Sequence, residues 1–226
     1  MNAQTMTTAD KALFIRDSIA KHDGKMAGIP SISTSALKNK GCTARRANND
    51  TVCAGCYACK YLKHRKTLRE KCGRNHAFYT TADIKPEDVP RINACMFRFE
   101  SFGELENTQQ FNNYCTIAAV NKNTIFSIWT KQPNIIQEYI DNDGEIPNNL
   151  NIILSSHFVN VSDYEYYRQK YWAINYDAVF TVYTKEHAKK HNIPIQCGGN
   201  SCIDCGLCYS RFDHDSEPIE INELLK

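Results

Sequence analysis

From residue 92 onward, short apolar runs alternate with longer segments of helical periodicity. NACMFRFESF, TIFSIWTK, NLNIILSSHF and DAVFTVYT are rich in β-branched and aromatic residues and read as strands. Between them, TQQFNNYCTIAAVNK, PNIIQEYIDND and SDYEYYRQKYWAIN space their apolar residues as helices do. KEHAKKH reads as a further short helix and IPIQC as a short strand. Repeated β-then-α units of this length imply parallel strands joined by right-handed crossovers. The expected fold is α/β, with four to five βα units in a partial parallel barrel or an open sheet.

The first 91 residues are patterned differently. Residues 1–8 read as a frayed start, and residues 9–22 fit an amphipathic helix through Ala12, Ile15 and Ile19. Residues 23–41 carry Gly24, Gly28, Pro30 and several Ser and Thr, which predicts a loop. A cysteine-rich stretch then runs into a basic helical segment, CKYLKHRKTLREKC, and residues 80–91 form a connector. The acidic tail from Ser210 ends in EINELLK, which predicts one or two helical turns. Residues 1–91 are thus an N-terminal helix and basic arm. Residues 92–226 are an α/β core with a second cysteine-rich loop, and the two together read as one integrated domain.

In a parallel sheet, polar residues where strands meet their loops are candidates for chemistry. Arg98, Ser101, Gly103 and Glu104 follow one strand, Trp129, Thr130 and Lys131 the next, and Ser155, Ser156 and His157 the one after. Arg98 and Glu100 are expected on the face opposite Phe97 and Phe99. Arg98, Glu104 and Lys131 are the candidate catalytic residues. Ser155 or Ser156 beside His157 lacks a G-x-S-x-G elbow, so ordinary loop hydrogen bonds are expected there. His187 and His191 share a helix face, but only Ala188, Lys189 and Lys190 lie between them, which predicts surface histidines.

The 226 residues are 42% hydrophobic and 23% charged, as in an ordinary globular chain. No apolar run approaches the ~20 residues of a membrane span, and the N-terminus lacks the pattern of a secretory signal. A cytoplasmic location is expected. In that reducing setting 11 cysteines are not a disulfide framework.

Eight of them form two groups: Cys42, Cys53, Cys56 and Cys59, then Cys197, Cys202, Cys205 and Cys208. Each group holds C-x2-C-x2-C with one cysteine upstream, a spacing that turns thiolates toward one centre. Zinc sites use cysteine pairs or Cys/His mixtures, usually close in sequence. Here the groups lie about 140 residues apart and no histidine has finger spacing. The pattern favours an iron–sulfur cluster of the 4Fe-4S type, with zinc as the alternative. The x3-C-P continuation of ferredoxins is missing, since Lys60 follows Cys59 and Tyr209 follows Cys208. Either each group holds its own cluster or one cluster draws on both, with Cys59 and Cys202 the dispensable thiols. Cys95 and Cys115 read as small buried hydrophobes, and Cys72 fits either role.

Charge is uneven: residues 1–75 hold 15 Lys and Arg against 5 Asp and Glu, and residues 76–226 hold 12 against 20. The basic run from Lys60 to Arg74, with Tyr57 and Tyr61, is either a solvated helix face or a contact for phosphate.

GIPSISTSALKNKGC, CAGCYACK, FRFESFGEL, IWTKQP and CGGNSCIDCGLCYS together resemble the phage gene-product-88-like family of uncharacterised cysteine-rich proteins. The resemblance spans residues 25–210 and implies a phage or prophage origin and a cysteine-rich site, with no established reaction. A weaker resemblance is to radical S-adenosylmethionine enzymes, which place a three-cysteine loop ahead of a Gly-Gly-Glu-like strand end on a partial barrel. Cys53, Cys56 and Cys59 precede Phe102-Gly103-Glu104 in that manner, but as C-x2-C-x2-C instead of C-x3-C-x2-C. The expectation is an iron–sulfur protein acting as an enzyme or redox protein on an unidentified small molecule or redox partner. The alternatives are a hydrolase or lyase using the cluster as a Lewis acid, a zinc-stabilised nucleic-acid-binding protein, and a radical S-adenosylmethionine-like enzyme.

Overall fold

The computed structural model describes residues 3–199, 201–210 and 217–225. Its centre is a six-stranded sheet, every neighbouring pair parallel, in the sequential order β1-β2-β3-β4-β5-β6. The strands are β1 (Ser31–Ile32), β2 (Met96–Phe99), β3 (Ile125–Thr130), β4 (Leu150–Ser155), β5 (Ala178–Tyr183) and β6 (Ile219–Leu224). Of the two expected architectures, this is the open α/β sheet.

The N-terminal helix, α1 (Thr8–Ser18), starts at a capping box between Thr7 and Asp10. Three helices belong to the arm: α2 (Lys40–Arg46), α3 (Tyr57–His64) and α4 (Lys66–Tyr79). The crossovers carry α5 (Thr108–Val120), α6 (Pro133–Asp141), α7 (Tyr164–Lys170) and α8 (Lys185–Lys190). Asn107 caps α5 through the Gln110 amide, and Pro133 starts α6 where its missing N–H is harmless. The last helix is the single turn α9 (Cys202–Cys205).

Alternation along the strands divides the core in two. Phe97, Phe99, Phe126, Ile128, Ile152 and Leu154 face the helices and pack with Phe111, Tyr114, Ile117, Ile135 and Ile136. Phe99 stacks on Tyr114 at 4.2 Å between ring centres. The opposite face carries Ile153, Ala178, Phe180 and Ile221, with Trp129, Cys197, Leu207 and Cys208 packed over them. The second cysteine loop therefore covers the face that the helices leave free.

The arm and the core share one sheet, because β1 pairs with β2, and Ile15, Phe78 and Tyr79 join the helix-side core. Three segments differ from expectation. Ser31–Ile32 lies in the stretch expected to be a loop, and its pairing with Arg98 and Phe99 makes it a strand. The tail expected to be helical is β6, because its six residues Ile219–Leu224 pair in register with Ala178–Tyr183. IPIQC contributes one bridge, Cys197 to Glu223, and no strand. Residues 211–216 of the acidic tail lie outside the described residues. No helix among the described residues is long and apolar enough to cross a membrane.

Candidate functional site

The segment FESFGEL turns the chain after β2 and holds two buried carboxylates. Glu100 has φ of 58°, in the left-handed region. That reversal breaks the strand alternation, so its carboxylate meets α5 on the helix side instead of sharing a face with Arg98. It accepts hydrogen bonds from the Thr34 amide (2.9 Å), the Thr34 hydroxyl (3.0 Å), Gln110 Nε2 (2.6 Å) and the Tyr114 hydroxyl. Burial pushes its carboxyl up to about 7, against the pull of the Tyr114 and Thr34 bonds. The folded value exceeds the unfolded one, so between about pH 4.5 and 7 the folded chain holds the extra proton. The stability this gives is complete below that window and is lost as pH rises through it. A loss of about 3 kcal/mol is expected across the window. Denaturation midpoints measured against pH check this: Glu100→Gln should flatten the fall.

Glu104 ties three loops together. Its Oε1 accepts from the Leu105 amide (2.9 Å) and the Thr130 hydroxyl (2.7 Å). Its Oε2 accepts from the Lys131 amide (2.8 Å) and lies 3.7 Å from Arg45 Nη2. Asn39 caps α2 by accepting from the Cys42 amide (2.8 Å), while its Nδ2 donates to the Glu104 and Leu105 carbonyls. Cys42 and Arg45, one turn apart, are thus aimed at Glu104. Phe102-Gly103-Glu104 is here a structural knot, with both Glu104 oxygens occupied.

The Lys131 side chain donates to the Ser155 hydroxyl across the ends of β3 and β4. Burial lowers its ammonium below the ordinary range, while Cys53 and Glu104 oppose that shift. Ser156 instead pairs with Thr181 (3.2 Å), and His157 Nδ1 pairs with Asp163 (3.0 Å). No serine–histidine dyad forms among these residues. Arg98 lies elsewhere, on the sheet face opposite the helices, with its guanidinium 4.1 Å over the Trp129 ring. The three candidate catalytic residues therefore divide: Glu104 and Lys131 meet, and Arg98 belongs to the second cysteine group.

The first cysteine group sits at the carboxyl ends of the strands. Cys53 and Cys56 close a turn through the Cys56 amide and Cys53 carbonyl (3.1 Å), and the Val52 amide bonds the His157 carbonyl (2.9 Å). Burial raises the Cys42 thiol, and the charges of Glu104, Cys53 and Cys56 add to that shift. Cys56 bonds Cys59, and Arg46 Nη1 donates to the Cys59 sulfur at 2.8 Å. Arg45 also bonds Cys53. Cys72 packs with Cys59 in one apolar cluster. Its thiol is pushed up to about 12 by burial and the Glu100 charge.

The second group lies against β3, β4 and β6. Ser201 caps α9 and Gly206, at φ of 65°, ends it. From β4, Asn151 Nδ2 holds the Cys208 carbonyl (3.4 Å) and the Ser210 carbonyl (2.8 Å). The Cys197 amide bonds the Asn222 carbonyl on β6 (2.9 Å). Lys25 Nζ donates to the Cys197 sulfur at 2.9 Å and lies 3.6 Å from Glu223. Burial pushes the Cys208 thiol up to about 12, with Arg98 lowering it and Cys197, Cys202 and Cys205 raising it. Arg98 Nε and Trp129 Nε1 are buried with no hydrogen-bond partner among the described residues.

The two groups thus have separate surroundings. Cys42 and Cys53 lie among Glu104, Arg45 and Lys131; Lys25 acts on Cys197 and Cys202, and Arg98 on Cys202 and Cys208. Among the described residues, no three His, Cys, Asp or Glu side chains are disposed to hold a metal ion. Sequence reasoning set Glu100 on the wrong face, beside Arg98, and passed over the cations Lys25, Arg45 and Arg46. The arginine pair three and four residues beyond Cys42, one helical turn on, was the available signal. No family model, curated protein or solved structure matches the chain.

Proposed function

We propose that the chain is a phage-type iron–sulfur protein with two centres, one on each cysteine group, acting in the host cytoplasm. The observation that carries this reading is that cations meet thiols of both groups: Arg45 bonds Cys53 and Arg46 bonds Cys59 at the first, while Lys25 bonds Cys197 and Arg98 acts on Cys208 at the second. Four thiolates and their metal carry negative charge, and N–H donors on the sulfurs stabilise it. Neither group contains a histidine, and the triple cysteine run suits iron–sulfur ligation better than zinc.

Burial keeps Cys42 and Cys208 protonated, so ligation would displace their protons and draw the loops onto the metal. A fully thiolate-ligated cluster supplies electron transfer, and one with an open iron supplies a Lewis acid. In this reading a small-molecule substrate would meet the chain beside the first group. Lys131 and Ser155 bind and orient its polar groups, and Glu104 fixes both Lys131 and Arg45. Carboxyl ends of parallel strands are the usual seat of such chemistry.

Anaerobic purification followed by absorption spectroscopy tests the reading. A broad band near ~400 nm that bleaches on reduction is expected; a colourless protein with stoichiometric zinc would overturn it. Arg98→Met, which removes a cation and a buried donor beside the second group, should leave iron content unchanged. It should lower one of two reduction potentials, as read by redox titration.

A further inference from the structure

The outer surface of α3 and α4 has no part in the reading above. Lys60, Lys63, His64, Arg65, Lys66, Arg69 and Arg74 are all exposed there, against one acidic residue, Glu70. Glu70 lies 3.9 Å from Lys66. At the start of this surface, Tyr57 is 56% and Tyr61 42% exposed. Their rings stand edge-on to each other at 6.5 Å, and both meet Phe102, at 6.0 and 6.2 Å. The Arg65 guanidinium lies 4.5 Å over the Tyr61 ring. The Tyr57 hydroxyl donates to the Ser101 carbonyl at 2.7 Å, which holds that ring in place. A fixed aromatic group is therefore left open to solvent beside a cationic track.

We infer that this surface binds a single-stranded polynucleotide. The phosphates lie along the cations of α3 and α4, and bases stack on Tyr61 and Tyr57. Single strands present regularly spaced negative charge and open π-faces, and both halves of the patch match them. An anionic membrane matches only the charge. An interfacial helix buries Leu, Phe or Trp, whereas the leucines of α3 and α4, Leu62 and Leu68, are buried or half-buried. Nothing on the patch reads a sugar hydroxyl, so DNA and RNA strands of equal length bind alike.

Fluorescence anisotropy with labelled dT and rU oligonucleotides of about 20 nucleotides, on the full chain, tests this. Binding should be similar for both and should weaken at least tenfold between about 50 and 200 mM salt. Tyr61→Ala should lower affinity about tenfold, and Tyr61→Phe should retain it. Lys60→Glu with Lys63→Glu should nearly abolish it, with the thermal melt of each variant unchanged. Absence of binding at low salt would overturn the inference. So would binding indifferent to these changes, or retention on phosphatidylserine vesicles without oligonucleotide binding.

Discussion

Gly103→Ala is expected to destabilise the protein strongly. A Cβ at this position would fall 2.0 Å from Glu100 Oε2, 2.6 Å from Thr34 Oγ1 and 2.8 Å from the Thr34 carbonyl oxygen. None of these atoms is free to retreat. The Glu100 carboxylate is held by Thr34, Gln110 and Tyr114 inside the core, and the Thr34 oxygen is backbone. The methyl must either displace a buried carboxylate from its donors or push β1 away from the turn after β2. Overpacking together with a broken buried hydrogen-bond set costs about 2–4 kcal/mol. For a chain of this length that is a fall of about 4–16 °C in Tm. Thermal denaturation followed by circular dichroism checks it; a Tm within about 2 °C of the parent would show that the knot yields easily.

The second large effect concerns the thiols. Cys56→Ala and Cys205→Ala should each remove about half of the bound iron, and the double variant nearly all of it. The halving follows from the separate surroundings of the two groups. Cys56 contacts Cys59 and shifts Cys42, whereas Cys205 shifts Cys202 and Cys208. Removing one thiol leaves the other centre's donors and cations in place. Iron per chain, measured after anaerobic reconstitution, decides the matter. Complete loss in either single variant would mean a shared centre, and no loss in either would mean that these sulfurs are not ligands.

The sheet was legible where periodicity is strong. β3, β4 and β5 are runs of β-branched and aromatic residues, and their pattern shows through any local context. β1 was not legible, because two residues flanked by Pro30 and Ser33 carry no period, and only pairing with β2 makes them a strand. β6 was misread because EINELL suits a helix as well as a strand. Its fate is set by β5, some forty residues earlier in the chain. The cysteine groups were visible as spacing alone. Their counter-cations were not, since Lys25 and Arg98 reach the second group from residues distant in sequence. Glu100 was expected on the Arg98 face because strand alternation places it there, and the positive φ that reverses it has no signature in FESFGEL. Glu104 and Lys131 were placed correctly at strand ends, and their meeting through the Lys131 amide is a backbone contact that residue type does not announce.

Quantifying iron, acid-labile sulfide and zinc in anaerobically prepared protein tests the central claim most directly. Two clusters of the 4Fe-4S type give about eight irons and about eight sulfides per chain. Zinc without sulfide, or a chain that takes up neither metal, would contradict it.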